Sequence, residues 1–508
     1  MSYSISGTTI SVSGTVDLMN VSLPSIFRIN FAAGGANATF HAYDFFYIPP
    51  QGVYFTVAGS ASRDVLILGL ADSGPIQQYE PSPQMDFFKF VNWGANDVII
   101  LQGNSDNNDL WGSYENEIFR GGNGNDSYHI GPGDTVDETG TDGVDTIHSY
   151  ESVNLLGSNI RGDIENVVLT AVDIATYAAG NALANKLVGG MGNSTLNGLG
   201  GDDFMQGRAG NDTYYVDTLN DTVDESANNP GGIDTIRSYV SYSLLDTVHV
   251  KGAVENLTLM GAALDAEGSN LNNALTGNGF GNTLRGLAGN DVLNGGAGAD
   301  DLQGDSGNDT YVLGSEGYGV DTVVDSSGAA DTITSSINRS LSFPDYSEIE
   351  NLTLVGNAVS GSGSGLANLM TGNARANIFY GLAGNDRLAG GAGNDTLYGG
   401  LNNDFFVFNT APNAATNRDF VKDFSHVDDA FQLENAIFTK LGAGATHMLS
   451  PTFFRAGTKA LDANDYIVYN RATGMLSYDN DGNGAHAAIQ FAALQNKPAL
   501  AANDFLVI

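Results

Sequence analysis

The chain has 508 residues, 66 of them Gly and none of them Cys, and its 58 acidic and 20 basic residues give a net charge of −38. So acidic a surface repels nucleic-acid phosphates and anionic lipid, and the lack of Cys excludes disulfides, thiolate metal sites and cysteine nucleophiles. Of the acidic residues, 45 are Asp, the carboxylate that fits turns. The composition therefore predicts turns that contain carboxylates, with a hard cation such as Ca²⁺ as the partner.

Residues 1–93 predict a small β domain, because strand-like segments occur at residues 9–12, 53–57 and 64–68. The pair His41 and Asp44 is a possible catalytic site, although a surface turn is the favoured interpretation. An aromatic cluster is either the core and cap of this domain, which we favour, or a platform for a ligand such as a sugar. The cluster comprises Phe40, Tyr43, Phe45, Phe46, Tyr47, Tyr54 and Phe55.

The beginning of the sequence has no basic segment followed by an apolar one, so no general secretory signal peptide is expected. No apolar stretch of 18 residues occurs either, and no transmembrane segment is predicted.

Between residues 94 and 407, glycines recur every nine residues in four blocks. Numbered from that glycine, the best nonamers have Asp at position six and a large apolar residue at position eight, as in Gly390-Gly-Ala-Gly-Asn-Asp395-Thr-Leu397-Tyr. Six Gly-rich residues can form a turn, and three can form a short strand with its central side chain inward. The pattern predicts a β-solenoid in which two nonamers complete one coil.

In such a solenoid, residues 18 apart lie on the same side of successive coils, separated by one strand spacing of ~4.8 Å. Asp291 and Asp309 have this separation, and so do Asp386 and Asp404. Stacked carboxylates repel one another, so a cation is expected between them, supported by carbonyl groups of the glycine turns.

Other copies are degenerate, and we expect them to bind a cation more weakly or not at all. In these blocks Asp126, Asp203 and Asp212 have the neighbours Glu117, Asn185 and Ser194.

A longer period of about 90 residues overlies the nonamers. Asp-Thr-Ile begins at Asp145, Asp234 and Asp331, and the phrase Ile164-Glu-Asn-Val-Val-Leu169 recurs twice in related form. These segments predict further solenoid coils that lack the full ion-binding turn.

The nonamers resemble the Gly-Gly-Xaa-Gly-Xaa-Asp-Xaa-apolar-Xaa repeats of the repeats-in-toxin (RTX), or hemolysin-type, calcium-binding proteins. The resemblance implies an all-β fold with a parallel β-roll, calcium bound at position six, and release through a type I exporter. Carried over by position, the calcium ligands are Asp126, Asp203, Asp212, Asp291, Asp300, Asp309, Asp386, Asp395 and Asp404. Position six departs from the pattern, which puts the ion in doubt, at Asn185, Ser194, Asn273, Asn282, Asn368 and Asn377.

Residues 408–508 resemble the carboxy-terminal region of RTX exports, with Asp-Phe-Ser at 423–425 and the final Asp504-Phe-Leu-Val-Ile508. The resemblance implies a capping region that contains the signal read by the exporter. An ordinary last strand of the cap is a compatible alternative. Residues 475–478 and 487–491 predict a β-hairpin around Asp479 and Asp481, in preference to an EF-hand loop.

No His-Glu-Xaa-Xaa-His or Gly-Xaa-Ser-Xaa-Gly motif occurs, so an enzyme is not expected. The sequence favours a secreted calcium-binding protein that folds outside the cell and acts as a matrix, surface-layer or adhesive component. Its expected partners are calcium, the type I exporter and either cell-surface glycans or other copies of itself. The alternative is a secreted hydrolase or toxin with an active site in residues 1–93. The predicted organisation is thus residues 1–93, the β-roll of 94–407, and the cap of 408–508.

Overall fold

The computed structural model describes residues 98–508, apart from 104, 106, 113–115, 141, 227–230, 315–320 and 329, together with the backbone of six strands within residues 1–97. The side chains of the aromatic cluster, and the pair His41 and Asp44, lie outside the described residues.

The described part of the chain consists of β-strands and turns, with three short 3₁₀ segments and no α-helix. The strands within residues 1–97 are Ser2–Ser6 (β1), Thr9–Asp17 (β2), Arg28–His41 (β3), Phe55–Ala58 (β4), Val65–Gly69 (β5) and Phe88–Val91 (β6). Those that follow, to residue 251, are Val98–Gln102 (β7), Asp109–Trp111 (β8), Glu117–Arg120 (β9), Ser127–Ile130 (β10), Thr135–Glu138 (β11), Thr146–Ser149 (β12), Val153–Asn154 (β13), Ile160–Gly162 (β14), Asn166–Leu169 (β15), Thr176–Ala179 (β16), Lys186–Val188 (β17), Ser194–Asn197 (β18), Phe204–Gln206 (β19), Thr213–Val216 (β20), Thr222–Asp224 (β21), Thr235–Ser238 (β22), Tyr242–Ser243 (β23) and Val250–Lys251 (β24).

The remaining strands begin at residue 256. They are Asn256–Leu259 (β25), Asp265–Glu267 (β26), Ala274–Thr276 (β27), Thr283–Ala288 (β28), Val292–Asn294 (β29), Asp301–Ser306 (β30), Thr310–Leu313 (β31), Thr322–Ser327 (β32), Thr332–Ser335 (β33), Arg339–Ser340 (β34), Asn351–Leu354 (β35), Ser360–Ser362 (β36), Leu369–Thr371 (β37), Ile378–Ala383 (β38), Arg387–Ala389 (β39), Thr396–Leu401 (β40), Phe405–Phe408 (β41), Asp419–Val421 (β42), Ala430–Leu433 (β43), His447–Met448 (β44), Phe454–Ala456 (β45), Ile467–Asn470 (β46), Met475–Tyr478 (β47), Ile489–Leu494 (β48) and Phe505–Val507 (β49). The 3₁₀ segments are Pro344–Tyr346, Pro451–Phe453 and Ala502–Asp504.

The chain forms two compact units. The first consists of Met1–Tyr239 with Asp246–Val254, and the second of Val240–Leu245 with Glu255–Ile508.

Within each unit, successive strands of the repeat region alternate between two parallel sheets. In the first unit, β15, β17, β19 and β21 are neighbours in one sheet, and β16, β18, β20 and β22 are neighbours in another. The register places Leu187 of β17 beside Met205 of β19, a separation of 18 residues. Two nonamers therefore complete one coil, and the predicted parallel β-roll is confirmed.

The side chain at position eight forms the core of the coils. In the described nonamers from residue 180 onward this residue is fully buried, with 0% of its surface exposed, and each packs on its counterpart one coil away. Burial of one such side chain contributes roughly 1.5–3 kcal/mol. These core residues are Leu187, Leu196, Met205, Tyr214, Leu275, Leu284, Leu293, Leu302, Tyr311, Met370, Phe379, Leu388, Leu397 and Phe406.

The segments between the blocks continue the same coils, as predicted. Ile147 of the first Asp-Thr-Ile motif is buried and pairs in register with Tyr128, which belongs to the preceding nonamer. On its other side Ile147 pairs with Val167, which pairs in turn with Leu187 of the next block.

Strands from residues 1–97 join the sheet that contains β7. β2 pairs in parallel with β3, β3 with β5, and β5 with β7. The division of the chain at residue 93 stays a prediction.

In the second unit the parallel coils are followed by antiparallel strands. β42 pairs in parallel with β48, whereas β48 pairs with β47, and β47 with β46, in antiparallel fashion. The β47–β48 pair is the predicted hairpin. Aromatic side chains fill this region, where the rings of Phe424 and Phe431 stack with centroids 4.3 Å apart.

Position four of the turn requires glycine wherever the backbone is left-handed and another coil lies close. Gly307 has φ +139°, and a Cβ atom there would overlap the carbonyl oxygen of Gly289 in the preceding coil. Gly279, in a turn of the same unit, has open space around its Cα atom and no left-handed φ.

We predict that Gly307→Ala lowers the free energy of unfolding in calcium by about 1–3 kcal/mol or more, since the left-handed conformer and the overlap both disfavour a side chain. Urea denaturation monitored by circular dichroism measures the change. The control Gly279→Ala should change the unfolding free energy by less than about 0.5 kcal/mol. Equal losses in both variants would contradict the assigned turn geometry.

Candidate metal centres

The aspartates at position six form columns in which each carboxylate accepts a hydrogen bond from the preceding coil. The backbone N–H of Asn273 donates to Asp291 Oδ1 at 2.7 Å, and that of Asp291 donates to Asp309 Oδ1 at 2.8 Å. All nine predicted ligands accept such a bond, at 2.6 to 2.9 Å. The amide bond fixes the orientation of each carboxylate and engages one of its two oxygens.

The second carboxylate oxygen, Oδ2, is buried and in most of these aspartates has no hydrogen-bond partner in the described part of the chain. Among the described residues, eight of the predicted ligands have a buried Oδ2 that accepts no hydrogen bond, and the ninth, Asp300, is equally buried. A buried carboxylate oxygen without a partner is costly unless a cation or a proton compensates it. The eight are Asp126, Asp203, Asp212, Asp291, Asp309, Asp386, Asp395 and Asp404.

Each unpartnered Oδ2 faces the position-one glycine of its own nonamer. A Cβ atom built on Gly286 would collide with Asp291 Oδ2 and would lie 2.9 Å from the carbonyl oxygen of Gly304, one coil further on. Gly381 is flanked in the same way by Asp386 Oδ2 and the carbonyl oxygen of Gly399. We call this space, lined by a carboxylate oxygen and a carbonyl oxygen where a side chain would otherwise lie, the oxygen cradle.

The oxygen cradles fit a calcium ion. Their atoms are carboxylate and carbonyl oxygens, which are the ligands that Ca²⁺ prefers, and their buried negative charge needs a cation. A bound ion would supply positive charge between coils, and Asp291 and Asp386 are examples of the residues that would hold it.

The asparagines at position six have a different arrangement. The side-chain nitrogen of Asn273 donates to the carbonyl oxygen of Glu255 at 3.0 Å, and that of Asn368 donates to Glu350 O at 2.9 Å. The side-chain amide of the asparagine therefore donates a hydrogen bond to a backbone carbonyl oxygen of the preceding coil. The turn contains one carboxylate fewer than a turn with Asp at position six. Asn185, Asn282 and Asn377 make equivalent bonds. Ser194 instead donates its hydroxyl to Gly192 O at 3.2 Å.

Burial keeps these carboxyl groups from ionising readily. It raises the pKa of Asp203, Asp212 and Asp404 to about 7, and nearby carboxylates add to the shift. Asp291, Asp309 and Asp386 have pKa values raised to about 6, again chiefly by burial.

The columns extend beyond the nonamers, which the nine-residue glycine pattern does not predict. Asp331 accepts a bond from the N–H of Asp309 at 2.7 Å, and its Oδ2 is buried without a hydrogen-bond partner. Asp419 and Asp429 accept bonds from Asp395 and Asp404 in the same way. The signal was present in the sequence, because Asp331-Thr-Ile reproduces positions six to eight of a nonamer without its glycines.

Comparison with known families agrees with this geometry. The family model for the RTX calcium-binding nonapeptide repeat matches four times, at residues 100–134, 180–223, 276–311 and 371–406. The chain contains RTX calcium-binding repeats. The four matches coincide with the four glycine blocks, and RTX proteins are typically secreted. No curated protein sequence matches the chain. Among the described residues, no helix is long and apolar enough to cross a membrane.

The raised pKa values predict that acid stabilises the calcium-free RTX repeats and weakens their calcium binding. Without calcium, the folded coils bind protons between about pH 4 and pH 7 that the unfolded chain releases. The stability of the calcium-free coils therefore increases as the pH falls, and this stability is lost as the pH rises through 6 to 7. Calcium must displace those protons, so its affinity should fall over the same interval.

Circular dichroism in chelator should thus show more β structure at pH 5 than at pH 7.5. The calcium affinity measured by calorimetry should be lower at pH 5 than at pH 7.5. A metal-free β signal that declines on acidification would contradict the assigned burial.

Proposed function

We propose that this RTX-repeat chain is a secreted calcium-binding protein whose coils form when it meets calcium outside the cell. The main support is the row of buried position-six carboxylates, each with one oxygen bonded to an amide and the other buried beside the position-one glycine of its own nonamer. This arrangement occurs in all four blocks, so we expect folding and calcium binding to be one process.

Calcium binding and folding are thermodynamically linked in this proposal. An ion that binds only the folded coils stabilises them by about 4 kcal/mol per site when its concentration exceeds the dissociation constant a thousandfold. Without the ion, the carboxylates of successive coils repel one another and the net charge of −38 opposes compaction. Low calcium in the cytosol then keeps the chain unfolded, and high calcium outside favours the coils.

Export by a type I exporter is part of this proposal. It rests on the resemblance of residues 408–508 to the corresponding region of RTX exports and on the typical secretion of RTX proteins. Residues at 504–507 also contribute to the fold: Asp504 Oδ2 accepts a bond from the N–H of Ala501 at 2.7 Å, and β49 pairs with β43 around the buried Phe505. The export signal and the capping strand are therefore compatible roles of one segment.

We further propose a structural role outside the cell, as a matrix, surface-layer or adhesive component. The coils of each unit are fastened by parallel backbone pairing and by the proposed ions, which suits a scaffold more than a flexible catalyst. Contact with glycans or other copies of the chain is assigned to residues 1–93. The alternative, a hydrolase or toxin, would have its active site in the same residues. Their strands belong to the sheet that contains β7.

Circular dichroism in chelator and in millimolar calcium tests calcium-dependent folding. We expect a largely unfolded spectrum in chelator at pH 7.5 and a β spectrum in calcium, with magnesium at equal concentration much less effective because it demands a smaller, octahedral site. A β spectrum of equal strength in chelator would refute the proposal.

A further inference from the structure

The last nonamer of each of the first three blocks differs from the others at position eight. This residue is tyrosine there, whereas every other described nonamer has Leu, Met or Phe. The three tyrosines are Tyr128, Tyr214 and Tyr311, and all are fully buried.

The tyrosine oxygen lies in the oxygen cradle of that last nonamer. A Cβ atom built on Gly207 would collide with both Tyr214 Oη and Asp212 Oδ2, and one on Gly304 would collide with Tyr311 Oη and its own aspartate. At Gly189 and Gly286, in earlier coils, the neighbouring atom is the carbonyl oxygen of the next glycine turn. Since no glycine turn follows directly at the end of a block, the phenol oxygen lies in the cradle instead.

Two further acidic residues, from the chain that follows the block, complete a cluster around this cradle. In the first unit, Asp212, Glu225 and Asp234 are all buried and each contributes a carboxylate oxygen within 4.8 Å of the others. The hydroxyl of Tyr214 contacts Glu225, and the N–H of Asp212 donates to Asp234 at 2.7 Å.

The second unit repeats this cluster independently. Asp309, Asp325 and Asp331 also have carboxylate oxygens within 4.8 Å of one another. The hydroxyl of Tyr311 donates to Asp325 at 2.7 Å, and the N–H of Asp309 donates to Asp331 at 2.7 Å.

Hydrogen bonds engage only some of the carboxylate oxygens in these clusters. Asp212 and Asp309 are at most 1% exposed, and their Oδ2 atoms, like that of Asp331, have no hydrogen-bond partner among the described residues. Three carboxylates this close cannot all be ionised in a buried site without a compensating cation. All the candidate ligand atoms are oxygens, which favours a hard divalent ion over a transition metal.

We propose that each of these two clusters is an additional Ca²⁺ site that closes its repeat block. One site is formed by Asp212, Glu225 and Asp234 with the Tyr214 oxygen, and the other by Asp309, Asp325 and Asp331 with the Tyr311 oxygen. Of the carboxylates, only Asp212 and Asp309 belong to the matched RTX segments. The inference rests on the proposed calcium-dependent folding, and it adds that the ions extend beyond the repeats to fasten the following coil.

Native mass spectrometry of the full chain in calcium tests the first site. Glu225→Gln removes one ligand charge with little change in shape, and the matched control Asp224→Asn removes a charge from the adjacent residue, the last of β21. We expect Glu225→Gln to bind one calcium ion fewer than the unaltered chain and Asp224→Asn to bind the same number. Asp325→Asn should reproduce the loss in the second unit.

Equal calcium numbers in Glu225→Gln and the unaltered chain would overturn this inference while leaving the proposed function intact. An unaltered chain that bound no calcium would refute the proposed function itself. The two failures are therefore distinguishable.

Terbium luminescence provides a second test with a variant that should fold, because phenylalanine occupies the same position at Phe406 in the fourth block. Terbium bound at the proposed site would accept excitation energy from Tyr214, which lies beside it. We expect Tyr214→Phe to reduce terbium emission excited through tyrosine, and the control Tyr215→Phe, at the adjacent residue, to leave it nearly unchanged. Equal emission in the two variants would contradict a site beside Tyr214.

Discussion

The structure depends on a carboxylate held between two coils. The aspartate at position six accepts an amide N–H from the preceding coil on one oxygen and directs the other into a buried space beside its own position-one glycine. The amide hydrogen bond forms without a metal ion. The other oxygen leaves a buried negative charge that requires a cation or a proton. Calcium can therefore favour folding without forming part of the apolar core.

This constraint explains the composition of the repeats. Position one must be glycine because a side chain would fill the oxygen cradle, and position four is left-handed and abuts the carbonyl of another coil at Gly307. Position eight supplies the core through side chains such as Leu284 and Leu388, which are fully buried. Within a nonamer of this kind, the turn supplies the oxygen atoms proposed to bind the ion, and the strand supplies the hydrophobic contact.

Much of this organisation could be predicted from the sequence, because the nine-residue glycine period fixes both the turn and the 18-residue coil. The same period located the position-six aspartates on one side of successive coils. It could not show how Asn273 bonds the carbonyl of the preceding coil, since that depends on atomic placement across non-repeated segments. Nor could it show that Glu225 and Asp325 approach the end of a block, because their distance from the last nonamer along the chain differs: Glu225 follows Asp212 by 13 residues and Asp325 follows Asp309 by 16.

Anomalous X-ray scattering from crystals grown in calcium locates the ions themselves, and it therefore tests whether calcium binds in the oxygen cradles. We expect an anomalous peak in the oxygen cradle between Gly286 and Asp291. We expect a weaker peak or none beside Asn282, whose side-chain nitrogen donates to the carbonyl oxygen of Ala263 at 3.1 Å. Peaks of equal strength at the aspartate and asparagine turns, or peaks confined to exposed surface carboxylates, would contradict these expectations.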